Sequence, residues 1–346
     1  MISDEIFMSR CLELAELGLG HTSPNPMVGC VIVNKNGVII AEGYHQKCGE
    51  NHAEVNAIKN VKNKSELISS TLYVSLEPCS HFGKTPPCSD LIIKNKIPKV
   101  VIGCRDPFSK VNGKGIEKLK NANIEVIEGV LEKECKELNK RFLCYHKNKR
   151  PYIILKWAQT KDHFIDRERK NNKQGINWIT TKTTQQLTHR WRAEEDAILV
   201  GKNTIKNDNP SLTTRAVVGK NPTRFIIDSK LTINPNSKII NDEYPLYILN
   251  SLKSEVKGKI NYIKFKPNNS INDILLIMHE LSIQSVIIEG GASTINYFIE
   301  QNTWDEARVL TGNNYFINGI KAPKLLVEPT SNTMFGEDEI TIFKNP

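Results

Sequence analysis

The sequence lacks any long hydrophobic run. Its apolar stretches, such as 28–33, 152–155 and 286–288, fall far short of the roughly 18 residues that a membrane-spanning helix needs. The first residues are acidic and lead into an amphipathic segment, so the apolar core and small-residue cleavage site of a signal peptide are also missing. We therefore predict a cytoplasmic protein with no membrane partner.

Cysteine is absent after Cys144, although the chain contains eight cysteines. In a reducing cytoplasm this distribution favours metal ligands or buried positions over disulfides. The excess of one charge is modest, because 47 Lys and Arg against 38 Asp and Glu give a net charge of +9, and the lysines are scattered. This pattern favours a solvated surface first, a phosphorylated small ligand second and a nucleic-acid partner least.

The composition excludes a disordered or collagen-like chain, since 39% of the residues are hydrophobic and 25% are charged. A length of 346 residues suggests about two domains of roughly 150 residues each. The basic stretch 146–150, followed by Pro151, is a candidate linker. We predict domains over 1–146 and 151–346.

Strand and helix patterns alternate in both parts of the chain. Residues 6–17 place apolar side chains on one helical face, and Asn36-Gly37 is a strong hairpin-turn signal between strands at 28–33 and 38–41. The other predicted helices lie at 52–62, 89–95, 183–195 and 271–281, and the other predicted strands at 71–76, 99–103, 152–156, 197–201, 224–228, 246–249 and 286–289. This alternation predicts parallel βαβ units in two α/β domains.

One group of residues carries specific chemistry. His52 and Glu54 open a predicted helix, Cys79 follows a predicted strand, and Cys88 comes shortly afterwards. One imidazole and two thiolates form a tetrahedral zinc set that leaves the fourth position for water, as in catalytic sites. Glu54 is not needed as a ligand and is available to carry protons. The pattern matches the zinc-deaminase signature, in which zinc activates water and the glutamate acts as general acid and base.

Two other interpretations of this group stay open. A fourth ligand from His81, Cys30 or Cys48 would close the metal site and make it structural. Alternatively, Glu54 would have only a capping role at the start of its helix. The catalytic interpretation is favoured because every part of the signature occurs in order and in the expected strand or helix context. The remaining cysteines are expected to be small buried side chains.

The spacing of the two cysteines separates subclasses of deaminase. Eight residues lie between Cys79 and Cys88, whereas nucleic-acid deaminases commonly have Pro-Cys-x-x-Cys, so the spacing disfavours a tRNA or DNA editor. The surrounding motifs are Pro24-Asn25-Pro26-Met27-Val28-Gly29, His45, Gly49 and Glu77-Pro78-Cys79-Ser80-His81. With these motifs, the region closely resembles the deaminase domain of the bifunctional riboflavin-biosynthesis deaminase/reductase family.

The resemblance implies a cytidine-deaminase-like three-layer fold. As substrate it implies 2,5-diamino-6-ribosylamino-4(3H)-pyrimidinone 5′-phosphate, whose 2-amino group leaves as ammonia. It also implies that Asn25 holds the pyrimidine, and that the substrate and its phosphate have three further neighbours, namely His45, His81 and Lys84. The stretch Asp106-Pro107-Phe108-Ser109 departs from the family's usual Asp-Pro-Asn-Pro, which leaves a substrate role for that loop unassigned.

In the second predicted domain, the residues alone show only one candidate ligand-binding feature. It is Glu289-Gly290-Gly291-Ala292, a turn between an apolar strand and a helical run at 294–300. Such a turn lets a diphosphate approach backbone amides at a helix N-terminus. A plain strand-to-helix turn is the favoured interpretation of these residues alone, because the Gly-x-Gly-x-x-Gly fingerprint is missing.

Further motifs resemble the reductase domain of the same family. They are Lys156-Trp157-Ala158-Gln159-Thr160, Trp178-Ile179-Thr180, Arg192-Ala193, 196–201, Thr204, 208–213, Arg215 and Asp228-Ser229. The resemblance therefore covers essentially the whole chain and implies a dihydrofolate-reductase-like fold that uses NADPH. It implies cofactor contacts at Ala158, Trp178, Thr204, Asp208, Ser229, Gly291, Ala292, Ser293, Thr294, Ile295, Asn296 and Tyr297.

The same resemblance implies substrate contacts at Ile176, Arg192, Leu212, Arg215 and Glu289. The guanidinium groups of the two arginines suit a ribose 5′-phosphate, with surface salt bridging as the alternative. The sequence departs from the family at Thr160-Lys161-Asp162-His163, where Ser-Leu-Asp-Gly is common, and at Ile176, where a small polar residue is often found.

We therefore expect a zinc hydrolase and an NADPH-dependent oxidoreductase in one chain. It would deaminate the pyrimidine and then reduce the ribosyl group to a ribityl side chain in riboflavin biosynthesis. The expected partner is the small phosphorylated pyrimidine rather than a nucleic acid, and homo-oligomer formation stays open. The rival hypotheses are a nucleoside or tRNA deaminase with an accessory domain, and a non-catalytic zinc-binding module.

Overall fold

A computed structural model describes residues 3–80, 86–107, 112–169, 174–266 and 270–346. The chain divides into two units, Met1–Asn148 and Lys149–Pro346, and each has its own sheet and its own buried core. Within the described ranges, no helix is both long enough and apolar enough to cross a membrane.

The first unit alternates helices with strands. Its helices are α1 (Asp4–Glu16), α2 (Ala53–Asn60), α3 (Cys88–Lys94), α4 (Lys114–Asn121), α5 (Glu132–Leu138) and α6 (Lys140–Asn148), with a 3-10 helix at Lys64–Ser69. Its strands are β1 (Gly29–Val33), β2 (Ile39–Tyr44), β3 (Thr71–Leu76), β4 (Lys99–Cys104) and β5 (Glu125–Glu128). Helix α1 begins where the Ser3 hydroxyl accepts a hydrogen bond from the amide of Glu5, as an N-cap serine does.

The sheet of the first unit has the order β2-β1-β3-β4-β5, and helices cover both of its faces. Successive side chains of β1 point to opposite faces. Cys30 and Ile32 belong to the core under α2, α3 and α4, whereas Val31 and Val33 belong to the core under α1. The result is the three-layer α/β/α arrangement that the resemblance implied.

The second unit is larger and also mixes helices with strands. Its helices are α7 (Lys182–Glu194), α8 (Lys202–Asp208), α9 (Lys238–Asn241), α10 (Ser270–Glu280) and α11 (Ala292–Glu300). Its strands are β6 (Tyr152–Gln159), β7 (Phe164–Asp166), β8 (Ala197–Gly201), β9 (Thr223–Ile227), β10 (Leu246–Asn250), β11 (Glu255–Lys257), β12 (Ile260–Lys264), β13 (Ser285–Glu289), β14 (Glu306–Thr311), β15 (Ile320–Lys321), β16 (Ser331–Phe335) and β17 (Asp338–Lys344).

The main sheet of this unit has the order β11-β12-β10-β9-β8-β13-β6-β14-β17-β16, and β7 pairs separately with β15. In this sheet order, the strands from β12 at one end through to β14 run parallel to one another. The outer strands β11, β17 and β16 pair antiparallel with their neighbours. The parallel strands are buried on both faces, which explains the unbroken apolar runs at 153–155 and 286–288. Their carboxyl ends meet at one edge of the sheet, where ligands bind in open α/β sheets.

The hairpin predicted between β1 and β2 and the parallel pairing of β3 with β4 are confirmed. The sheet of the first unit is nevertheless mixed rather than built of parallel units alone, because β1 also runs antiparallel to β3. The boundary between the units falls inside the predicted linker at 146–150, whose first residues are helical, since α6 continues to Asn148 and the chain turns only at Lys149, whose φ is 54°. Basic side chains such as His146 and Lys147 suit the negative end of the helix dipole.

Candidate active sites

Three metal-ligating side chains meet at one edge of the first sheet. His52 caps α2, Cys79 follows β3, and Cys88 begins α3. His52 Nδ1 lies 3.6 Å from Cys79 Sγ and 3.3 Å from Cys88 Sγ, and all three ligand atoms lie within 4.8 Å of one another. Among the described residues no fourth ligand joins them. Cys30 is buried in the core, Cys48 is only half-buried, and His81 lies outside the described residues.

The two thiols of this site have very different proton affinities. The hydrogen bond with Cys88 and the neighbouring His52 lower the pKa of Cys79, and the amide of Cys88 also donates to Cys79 Sγ over 3.3 Å. The same pairing with Cys79, together with burial, raises the pKa of Cys88. A preformed thiolate beside an imidazole and a second thiol is a donor set that fits Zn²⁺.

Glu54 lies in the first turn of α2, directly beside this donor set. Its side chain is 3% exposed, and burial raises the pKa of its carboxyl group. The nearby thiol of Cys88 acts in the opposite direction and lowers the pKa of this carboxyl group, but burial outweighs it. A buried carboxyl that is protonated more readily than usual suits a group that accepts and returns protons.

A short chain of hydrogen bonds links Asn25 to the metal site. His45 Nδ1 lies 3.0 Å from the carbonyl oxygen of Asn51, so this nitrogen donates, and His45 Nε2 then accepts from Asn25 Nδ2 over 3.1 Å. Burial lowers the pKa of His45, which favours this neutral form. The rings of His45 and His52 lie 5.5 Å apart. Of the other residues that the resemblance implied for this substrate, His81 and Lys84 lie outside the described residues, as does Phe108.

Two buried side chains without a predicted role hold this region together. Glu77 accepts hydrogen bonds from the backbone amides of Asp106, Gly113, Gly115 and Ile116 at 3.0–3.4 Å. Asn139 both donates to and accepts from the backbone of Met27, each over 2.9 Å. Because Met27 is two residues from Asn25, the two hydrogen bonds of Asn139 fix the loop that presents Asn25.

The second unit contains a cavity of about 390 Å³, here called the large cavity, at the carboxyl ends of its central strands. Residues predicted for both cofactor and substrate line it together. They are Ala158, Trp178, Thr204, Asp208, Gly291, Ala292 and Ser293 from the cofactor set, and Ile176, Arg192, Leu212, Arg215 and Glu289 from the substrate set. The cavity is thus large enough and polar enough for a small-molecule site.

A further space of about 330 Å³, here called the second cavity, adjoins it. It is lined by Gly201, Lys202, Asn203, Thr204, Ile227, Ser229, Lys230, Gly291, Ser293 and Thr294. Of the cofactor candidates, Thr204, Gly291 and Ser293 line both cavities, whereas Ser229 and Thr294 line only the second cavity. The remaining candidates lie elsewhere on α11: Ile295 is fully buried in the core, and Asn296 and Tyr297 are half-buried outside the lining of both cavities.

A buried charge cluster forms the floor of the large cavity. Arg192 grips Glu289 with two hydrogen bonds of 2.8 and 2.6 Å, and Lys156 Nζ lies 3.6 Å from the same carboxylate. Burial alone would raise the pKa of Glu289, but the charges of Arg192 and Lys156 outweigh it and lower the pKa to about 2. Glu289 is therefore ionised at neutral pH. Arg215, by contrast, is exposed and forms no ion pair with the described residues.

Arg169 ties together the segments around Asp208. Its guanidinium bonds the carboxylates of Asp208 at 2.7 Å and Asp166 at 2.9 Å, and the carbonyls of Gly175 and Asn207 at 2.6 and 3.0 Å. Burial raises the pKa of Asp208 to about 6 against the opposing charge of Arg169. Neither Arg169 nor Asp166 was predicted to take part in the site.

Comparison with known proteins identifies both units. The family model for the cytidine and deoxycytidylate deaminase zinc-binding region matches residues 1–104, and the RibD C-terminal domain matches residues 151–316. The riboflavin biosynthesis protein RibD of Aquifex aeolicus is 37% identical over 99% of this chain and 98% of its own length. The chain belongs to the RibD family. RibD of Bacillus amyloliquefaciens is 39% identical over 93% of this chain and 88% of its own length.

Solved structures agree with this family assignment. A diaminohydroxyphosphoribosylaminopyrimidine deaminase/5-amino-6-(5-phosphoribosylamino)uracil reductase from Thermotoga maritima has a TM-score of 0.88 at 37% identity, covering 99% of this chain and 98% of that one. Acinetobacter baumannii RibD has a TM-score of 0.89 at 28% identity, covering 99% of both chains. The expected bifunctional enzyme is confirmed: this RibD chain combines a zinc-dependent deaminase with an NADPH-dependent reductase of riboflavin biosynthesis, and the nucleoside or tRNA deaminase alternative is not supported.

Several residues of this RibD site were missed from the sequence. His189 lines the large cavity one helical turn before Arg192 on α7, so the helical spacing of three was an available signal. Lys156 belongs to a motif that carried the resemblance, but it was given no role. Glu77 likewise belongs to a motif that carried the resemblance but was given no role. Asn139 acts through the distant backbone of Met27, for which the sequence has no local signal. Arg169 joins the nearby Asp166 to the distant Asp208, and only the second of these contacts lacks a local signal.

Proposed function

We propose that the first unit removes the 2-amino group of 2,5-diamino-6-ribosylamino-4(3H)-pyrimidinone 5′-phosphate. Water replaces the amine at C2, so that the ring gains a carbonyl group and ammonia leaves. The observation that carries this proposal is the convergence of His52, Cys79 and Cys88 with the buried Glu54 beside them. The Thermotoga maritima relative named as a deaminase for this class of pyrimidine supports the choice of substrate.

The donor atoms suit the metal that this reaction needs. One imidazole nitrogen and two sulfur atoms leave one tetrahedral position for water. When bound there, zinc supplies Lewis-acid activation of that water. The protein supplies the proton transfers. The Glu54 carboxylate takes one proton from the attacking water and delivers it to the ring nitrogen. It then takes the second proton of the added hydroxyl group and delivers it to the amine, which leaves as ammonia while C2 becomes a carbonyl.

Asn25 and His45 orient the pyrimidine in this proposal. Asn25 Nδ2 donates to His45 Nε2, so Asn25 Oδ1 remains as an acceptor for an N–H group of the pyrimidine ring or of its amino substituents. His45 then acts mainly by fixing Asn25, rather than by direct contact with the phosphate. His81 and Lys84 stay as proposed neighbours of the substrate.

We further propose that the second unit reduces the ribosyl group of the deaminated product to a ribityl chain. NADPH would supply the hydride to C1 of the sugar in its ring-opened imine form, and the imine nitrogen would take up a proton from water as it becomes an amine. Arg192 holds Glu289 ionised and fixed at the floor of the large cavity, where the carboxylate accepts hydrogen bonds from the substrate. Within the described ranges Arg215 pairs with no carboxylate, so it is the stronger candidate for the ribose 5′-phosphate.

The proposed partner is therefore a small anionic pyrimidine. Neither a nucleic acid nor a membrane is proposed as a partner. The cytoplasmic location remains a prediction from the sequence, and homo-oligomer formation stays open. The eight free cysteines agree with a reducing compartment.

A coupled assay on the full chain tests both steps. Purified zinc-loaded protein is given the pyrimidine phosphate, and ammonia release is measured before and after NADPH is added. We expect ammonia without NADPH, and NADPH oxidation only after deamination. Deamination of cytidine or tRNA at a comparable kcat/KM, or no ammonia from the pyrimidine phosphate, would contradict the proposed substrate.

A further inference from the structure

The second cavity continues the large cavity of the reductase unit. The two spaces share Asn203, Thr204, Gly291 and Ser293 as lining residues. A ligand long enough to leave the large cavity across these residues therefore enters the second one. A dinucleotide has this shape, because its two ring systems are joined by a diphosphate.

The passage between the cavities suits a diphosphate. Gly290 and Gly291 have φ values of 73° and 69°, a conformation that side-chain-bearing residues rarely adopt. A β-carbon at Gly290 would lie 3.0 Å from Thr204 Oγ1. This hydroxyl is buried and has no hydrogen-bond partner among the described residues, so it is a donor available to a phosphate oxygen.

The second cavity is electropositive. Lys202 and Lys230 are the only charged residues that line it in the described part of the chain. Lys202 is held in place, since its ammonium donates to Thr232 Oγ1 over 3.2 Å. The nearby Asp228 does not line the second cavity, so its carboxylate does not offset the positive charge of the two lysines there. Its carboxylate is turned into the following loop, where it accepts from Thr232 and from the amide of Ile233.

We propose that Lys202, assisted by Lys230, binds the 2′-phosphate of NADPH and so selects NADPH over NADH. This inference rests on the proposed reduction by NADPH. With the nicotinamide near Glu289 and the diphosphate at Gly290-Gly291, the adenosine end enters the second cavity. NADPH and NADH differ only by the 2′-phosphate, and two ammonium groups with no acidic residue in the lining favour the more negative ligand.

The test measures binding rather than turnover. Dissociation constants of NADPH and NADH for the full chain are compared between wild type, Lys202→Ala, Lys230→Ala and the double variant. We expect the double variant to bind NADPH at least about tenfold more weakly while its affinity for NADH stays nearly constant. Lys202→Glu should go further and bind NADH more tightly than NADPH.

The matched control is Lys206→Ala, an exposed lysine on the same helix α8 that lines neither cavity. It should change neither constant. A probe without the nicotinamide, 2′-phosphoadenosine 5′-diphosphoribose, should show the same loss in the double variant as NADPH does.

Three failing outcomes are distinguishable. If wild type prefers NADPH and the double variant keeps that preference, the role of these lysines is wrong while the reductase assignment stands. If wild type binds neither dinucleotide, the proposed reduction fails and this inference fails with it. Equal weakening of NADPH and NADH would also overturn the inference, because the lysines would then contact a part common to both.

Discussion

At the scale of single residues, His52 and Glu54 show how closely spaced side chains take different tasks. The imidazole of His52 faces two sulfur atoms, whereas Glu54 is buried in the first turn of α2 and its carboxyl is not part of the ligand set. Because the tasks are separate, we expect that the proton carrier can be removed without loss of metal binding.

The first prediction removes only the proton carrier. Glu54→Gln should keep zinc but lose deamination by about a thousandfold, because an amide cannot cycle a proton. Cys79→Ala should lose both zinc and activity. Zinc content by elemental analysis and the rate of ammonia release check this. Near wild-type deamination by Glu54→Gln would contradict the mechanism.

The second prediction concerns His189 and acid stability. Burial, followed by the charges of Arg192 and Arg215, lowers the pKa of His189 to about 4; Lys156 acts in the same direction and Glu289 opposes them. In the unfolded chain the imidazole takes up a proton below about pH 6.5. The unfolded state thus binds more protons between about pH 6.5 and 4, so this residue's contribution to stability is lost as the pH falls through that window.

His189→Gln should therefore flatten the fall in unfolding free energy between pH 6.5 and 4. Urea unfolding at several pH values measures this, with the exposed His21→Gln as control. An unchanged slope in His189→Gln would show that the folded and unfolded states protonate His189 equally.

At the scale of elements, Glu77 connects the end of β3 to the start of α4. Its carboxylate accepts four backbone amides, and a β-carbon at Gly115 would lie 2.1 Å from the carbonyl oxygen of Pro78. The helix start is therefore packed directly against the residue before the ligand Cys79. We therefore expect a substitution of Glu77 to affect the position of Cys79 through the backbone.

The third prediction is that Glu77→Gln destabilises the deaminase unit by about 2 kcal/mol, since a neutral amide replaces a charged acceptor of backbone hydrogen bonds. Zinc affinity should fall with it, while reduction of the deaminated substrate is retained. Thermal unfolding and zinc titration measure this. The control is Glu117→Gln, an exposed residue of α4, which should change stability by less than about 0.5 kcal/mol.

At the scale of the whole molecule, each unit has its own sheet and its own core. The metal-ligating group is in the first unit, and no other group of three or more such side chains is close enough to hold an ion in the described ranges. The two activities should therefore respond independently to changes at each site.

The fourth prediction follows from that separation. A zinc chelator should abolish ammonia release but leave NADPH-dependent reduction of the deaminated substrate nearly intact. Both rates are measured on one preparation, with circular dichroism to confirm that the protein stays folded. Loss of reduction in chelated, folded protein would show that the sites depend on each other.

The reciprocal change is Arg192→Ala combined with Arg215→Ala. Reduction should weaken at least about tenfold, because Glu289 loses its bidentate partner and the phosphate loses a guanidinium. Ammonia release should stay at the wild-type rate. A parallel loss of both activities would contradict the assignment of these arginines to reduction alone.

The sequence by itself determined the zinc site and much of the secondary structure. His52 and Glu54 lie at one helix start, and Cys79 and Cys88 follow the next strand, so the donor types and their local placement could be predicted from the sequence. That the imidazole meets the two sulfur atoms depends on the strand order β2-β1-β3. Strands such as β8 were also predictable, because residues buried on both faces of a parallel sheet form unbroken apolar runs.

Only the tertiary structure decided which distant groups meet. Arg192 and Glu289 are 97 residues apart and their pairing follows from the placement of α7 beside β13, so the sequence could not show that Arg192 already has a carboxylate partner. Asn139 and Met27 are 112 residues apart, and the antiparallel direction of β1 depends on strand order rather than on strand propensity. Side-chain patterns report how each element buries its own face, whereas hydrogen-bond partners across the sheet are set by how the elements are arranged in space.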